Sequence, residues 1–142
     1  MTARTRDTKN AGGVTAAMLF AVAGLHVMWA LGSSFPFRSR NELADSVIGT
    51  NEVPSSAACL AVASALFISA TVVAGVVPIP VRIRTFVLRI IVAILATRGV
   101  AGALGRTSLL SPGSDSLAFK RLDKRIYAPL CLWLASGVHR SI

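Results

Sequence analysis

The sequence predicts an all-α protein, a transmembrane four-helix up-down bundle. Three observations predict it. Hydrophobic residues make up 54% of the 142-residue chain, and its mean hydropathy of +0.66 exceeds what a soluble domain requires. The charges cluster between long apolar stretches. Four such stretches recur, three of them near the roughly 20 residues that carry a helix across hydrocarbon.

The first twelve residues read as a flexible polar arm with Arg4, Arg6 and Lys9, and residues 13–142 as one bundle. The first span runs from about 13 to 33. A basic start and an apolar middle also fit a cleaved signal peptide, but the segment is long, carries His26 and Trp29, and is not followed by an A-x-A-like cleavage site. "SSFPF" breaks this helix, because proline cannot continue the hydrogen-bond ladder. The loop over 35–53 is mixed in charge, with Arg38, Arg40, Glu42, Asp45 and Glu52.

Pro54 opens the second span, about 54–77, in the first-turn position that proline tolerates. Ala57, Ala61, Ser64, Ala65, Ser69 and Ala70 make it rich in small residues, which let helix backbones approach closely in lipid. "VPIP" ends it, and a basic turn with Arg82 and Arg84 leads into the third span, about 86–104. There Gly99 and Ala103 form a small-xxx-small face. After "SPGSDS" and the basic "KRLDKR" comes a short fourth span, about 126–139. Alone it hardly covers about 30 Å of hydrocarbon. It either extends through "LAFKRL" or enters the membrane only partly.

A net charge of +9 would suggest nucleic acid on a soluble protein. Here most Lys and Arg flank apolar segments, where topology signals and anionic headgroups are met, and no nucleic-acid motif accompanies them. The expected partners are the lipid bilayer, with anionic lipids at a collar of Lys120, Arg121, Lys124 and Arg125, and a second copy or a larger membrane complex. Cys59 and Cys131 each lie inside an apolar segment and read as packed free thiols. The first helix and the short turn at Arg82 and Arg84 favour a cell-membrane protein with both termini cytoplasmic, although the positive-inside rule divides the charges almost evenly.

One inference is independent of orientation. In an up-down bundle the first and third spans end on the side where the second and fourth begin. His26 lies on the order of 10 Å below that surface at 1.5 Å per residue, and Arg98 lies at a similar depth. Asp123 and Tyr127 open the fourth segment there. A charge in the apolar zone needs a partner, and Asp123 is the best carboxylate within reach of Arg98. Trp29 shares a face with His26. The expected polar cluster is therefore His26, Trp29, Arg98, Asp123 and Tyr127. Each residue also has a plain structural reading: interfacial aromatic, helix lock or interhelical hydrogen bond.

The pattern H-x-x-W-x-x-G at 26–32, Pro54, R-G at 98–99 and "FKRLDKRIYAPLCLWLASG" at 119–137 resembles a family of small bacterial membrane proteins catalogued as a domain of unknown function. The most specific part is F-x-x-x-D-x-x-x-Y-x-P-L-C. The resemblance covers about Val14 to Gly137 and implies four transmembrane helices. Its motif positions here are His26, Trp29, Gly32, Pro54, Arg98, Gly99, Phe119, Asp123, Tyr127 and Pro129. It implies no activity and no cofactor.

Function reads best as a non-enzymatic accessory module that binds a ligand or a partner. The alternative is an oligomeric transporter or proton conductor, although four helices make a thin pore without an inverted repeat. An enzyme acting on lipid has the least support. Paired intramembrane carboxylates, a nucleophile triad and a metal cluster are all missing from the sequence, and a haem held by His26 would find His139 at the wrong end. No cofactor is assigned.

Overall fold

A computed structural model describes the backbone of residues 2–142 and the side chains of residues 12–142. The arm expected over residues 1–12 lies outside these side chains except for Gly12. The described residues are helical, with no strand. Three helices are long and apolar enough to cross a membrane: α1 (Thr2–Ala30, apolar from Gly12), α3 (Ser56–Ala74) and α4 (Val81–Ala103). Short helix α2 is Arg40–Leu43, α5 is Leu117–Leu122 and α6 is Ala128–His139.

Local chemistry sets the ends. α1 stops before Gly32, whose φ of +99° a side chain would strain. The Ser33 N–H then reaches back to the Met28 carbonyl at 3.0 Å, the wrapped end typical of such glycines. The span is thus three residues shorter than the apolar run suggests. Ser55 caps α3, its hydroxyl accepting from the Ala58 N–H at 3.1 Å, so Pro54 lies just outside the helix and not in its first turn. Pro80 precedes α4, which begins at Val81, before the expected 86. The basic turn is already helical, and Arg84 is its reason: its guanidinium donates to the Val72 and Val73 carbonyls at the end of α3 and to Ser141.

The fourth segment begins earlier than residue 126. Ser116 accepts from the Phe119 N–H at 3.1 Å and starts a helix. It runs through α5, a π-helical turn at Asp123–Tyr127 and α6 without interruption. This run is roughly 35 Å long at 1.5 Å per residue. Its first half is charged and its second half apolar.

α1 lies along α3 and α4 along α6, α1 also meets α6, and α3 touches α4 only lightly. Glycines allow the closest approaches. A Cβ on Gly99 would sit 2.7 Å from Leu132, and one on Gly137 would overlap the Thr15 hydroxyl. In lipid such packing, not water expulsion, holds helices together. Two apolar cores result. Leu19, Ala70, Val73, Leu88, Leu134 and Val138 fill the end where α3 and α6 finish. Trp29, Leu43 and Cys59 fill the other.

The segment over 35–53 is a folded cap. Ser39 caps α2, which continues into a π-helical turn at Ala44–Ile48. Gly49, at φ +79°, ends that turn and lies flat on the Phe119 ring, where a Cβ would stand 2.9 Å from ring carbons. The Ser116 hydroxyl donates to the Asp45 carbonyl at 3.0 Å, and the Asp115 and Ser116 N–H groups both donate to the Gly49 carbonyl at 3.2 Å. Polar composition marked this stretch as loop. Its fold depends on α5, far along the chain, which local pattern cannot supply.

Candidate functional site

The most concentrated polar chemistry lies where α4 ends and α5 passes into its π-helical turn. Asp123 is 2% exposed, which is unusual for a carboxylate unless it is paired. Arg98 Nη2 stands 2.7 Å from Asp123 Oδ1. The approach is an ion pair off the hydrogen-bond direction, so Oδ1 accepts no hydrogen bond among the described residues. Oδ2 accepts from the Thr107 hydroxyl in a short, buried hydrogen bond. Arg98 Nη1 is buried without a hydrogen-bond partner among the described residues, while the Arg98 side chain as a whole is 29% exposed.

Gly102 makes this possible. It lies one turn beyond Arg98 on α4. A Cβ there would come within 2.9 Å of both Arg98 Nη1 and Asp123 Oδ1, and within 2.8 Å of the Ala128 Cβ. The missing side chain is the space the ion pair occupies.

Tyr127 is half-buried and its hydroxyl donates to the Ser46 carbonyl at 3.2 Å, binding the π-helical turn to the cap. Its ring centroid is 6.4 Å from that of Phe119. Tyr127 thus ties the turn to the cap while staying beside the Asp123–Arg98 pair.

His26 and Trp29 form a second set, on α1. Their ring centroids are 4.7 Å apart. Trp29 is buried at 5% exposure, and its Nε1 donates to the Phe35 carbonyl at 2.7 Å. This tryptophan fastens the start of the cap; an interfacial belt residue would face the headgroups. Arg40 closes the same corner by donating to the Trp29 carbonyl at 3.4 Å. His26 is half-buried and its Nδ1 is 2.9 Å from the Val22 carbonyl of its own helix. No hydrogen bond or ion pair among the described residues links His26 or Trp29 to Arg98, Asp123 or Tyr127. The five residues expected in one cluster occupy the same end of the helices in two groups, joined through the cap.

Lys120, Arg121, Lys124 and Arg125 are exposed on α5 and the π-helical turn. Lys120 pairs with Asp115 at 3.1 Å, both in solvent, a contact worth little by itself. Cys59 is buried, Cys131 half-buried, and both are free thiols. Among the described residues no three of His, Cys, Asp and Glu gather as metal ligands.

Thr107 and Gly102 escape sequence reading. Thr107 sits in a short 3₁₀ turn after α4 with no periodic signal. Gly102 carries one signal: it follows an intramembrane arginine by one turn, where a small residue lets the long side chain fold back.

The family model described as "Protein of unknown function (DUF3995)" matches residues 19–138, and the chain belongs to that family. Comparison with curated proteins and with solved structures returns no match. The family description carries no activity, and three apolar helices of spanning length are what points to a membrane protein.

Proposed function

We propose that this member of the family is a non-enzymatic accessory module of the membrane, a four-helix up-down bundle with both termini cytoplasmic. It works by binding an amphipathic ligand or a partner. The observation that carries this reading is the state of Asp123. At 2% exposure, paired with Arg98 and accepting from Thr107, it is a pin between α4 and the fourth segment. General acid–base work requires a carboxyl that reaches a substrate proton, and a carboxylate enclosed in this way is held for packing. The collar of Lys120, Arg121, Lys124 and Arg125 suits anionic headgroups at the same surface.

One observation favours a second reading. Arg98 Nη1 is a buried donor with no hydrogen-bond partner among the described residues, and such donors are costly unless something accepts from them. A ligand carbonyl or phosphate oxygen entering beside Arg98 would engage it, with Tyr127 close by and His26 and Trp29 on the far side of the cap.

Native mass spectrometry of the gently solubilised protein, beside Arg98→Gln and His26→Ala, separates these readings. The pin reading expects a bound lipid or partner mass on wild type, retained on folded Arg98→Gln protein that melts at a lower temperature. Loss of that mass in folded Arg98→Gln transfers the site to the polar cluster. A bare chain in every sample would overturn the binding reading altogether.

A further inference from the structure

The opposite end of the helices holds a crevice of about 800 Å³ between the 12–20 stretch of α1, the end of α3, the start of α4 and residues 140–142. Small residues make the room: Gly13, Ala17 and Ala74 line it, with Phe20 forming an apolar wall that continues onto the lipid-facing surface. A Cβ on Gly13 would meet nothing within 4 Å.

Two arginines stand at its mouth, and among the described residues no aspartate or glutamate lines it. Arg84 is fixed by its bonds to the Val72, Val73 and Ser141 carbonyls. These are neutral acceptors that leave its charge uncompensated. Arg140 is exposed, and its side chain makes no hydrogen bond or ion pair among the described residues. Every described aspartate and glutamate side chain, Glu42, Asp45, Glu52, Asp115 and Asp123, belongs to the cap or to the fourth segment's entry at the far end. Among the described side chains the crevice is therefore an apolar groove with two arginines at its mouth and no acid beside them.

We propose that it is a site for one anionic phospholipid. The phosphodiester sits between Arg140 and Arg84, and an acyl chain lies along Ala17, Phe20 and Ala74. A guanidinium fits two phosphate oxygens at once. The apolar wall selects an acylated ligand over a soluble anion. This inference rests on the binding reading above and gives that reading a ligand class and a place, away from the Asp123 pin.

The test uses the full chain in mild detergent, with native mass spectrometry of added phosphatidylglycerol, phosphatidylcholine with the same acyl chains, and inorganic phosphate. Wild type should retain phosphatidylglycerol in preference to the other two. Arg140→Gln should weaken that retention about fivefold, the scale of one basic residue at an anionic lipid surface. Gly13→Leu, which adds bulk at a lining position where a Cβ meets nothing within 4 Å, should abolish it. Arg106→Gln, an equal charge change at the far end, should leave it intact. Equal retention of the two lipids, or equal effects of Arg140→Gln and Arg106→Gln, would overturn the site while leaving lipid binding in place. Retention of inorganic phosphate as strong as that of phosphatidylglycerol would overturn the acylated ligand. A chain bare of every lipid would overturn both this site and the binding reading.

Discussion

Replacing Asp123 by Asn tests the pin directly. The change removes one charge, keeps the shape and leaves an oxygen that can still accept from Thr107. Breaking a buried ion pair by removing one partner costs about 3–5 kcal/mol. Here the partner is only partly enclosed: the Arg98 side chain is 29% exposed against 3% for Asp123. The stranded guanidinium can turn toward water, so a loss of about 2–4 kcal/mol is expected from the same range. The control is Arg98→Met in the Asp123→Asn background. With no charge left to strand, the double variant should be less destabilised than the sum of the singles, by a coupling of about 1–3 kcal/mol. Helix content followed by circular dichroism through a detergent-denaturant titration measures all four proteins. Additive effects, or a fully stable Asp123→Asn, would show that the two charges do not hold α4 to the fourth segment.

Three further outcomes follow from the close contacts. Gly102→Ala should destabilise by about 1–3 kcal/mol through overpacking against the ion pair and Ala128, whereas Gly24→Ala, whose Cβ meets nothing within 4 Å, should gain up to about 1 kcal/mol; the two melting temperatures must move in opposite directions. Gly49→Ala places a side chain at φ +79° and against Phe119, at an expected loss of about 2–4 kcal/mol, visible as faster proteolysis of the 35–53 segment. Trp29→Phe removes the donor to the Phe35 carbonyl and should cost about 1–3 kcal/mol; the remaining indole, on exposed Trp133, should keep its emission unchanged.

The three long helices are legible in the sequence because an apolar run of bilayer length is a strong signal; α1 ends early at its glycine cap, α3 starts at its Ser55 cap and α4 starts early beside Arg84, while the helix of α1 also runs back through the polar stretch to Thr2. Arg98 and Asp123 can be related from sequence because lipid leaves an intramembrane charge few partners, and the alternation of spans fixes which end each residue reaches. The division of the polar residues into two groups is not legible. It depends on the cap over 40–49, whose turns close against Phe119, Ser116 and Tyr127. It also depends on the Tyr127 hydroxyl reaching the Ser46 carbonyl of that cap. A helical wheel cannot anticipate that long-range contact. Thr107 enters the site only through the shape of a short turn after α4.

The Arg98–Asp123 pair also bears on how the protein is made. Arg98 leaves the ribosome before Asp123, and until that carboxylate arrives its guanidinium is held toward water and not against a counter-charge. The third long helix therefore reaches its final packing only when the charged entry of the fourth segment arrives. By contrast α1 and α3, which pack chiefly on each other, can associate early. Assembly in this order makes the fourth segment the step that completes insertion, and a chain truncated before Asp123 would leave its third helix as a substrate for membrane quality control.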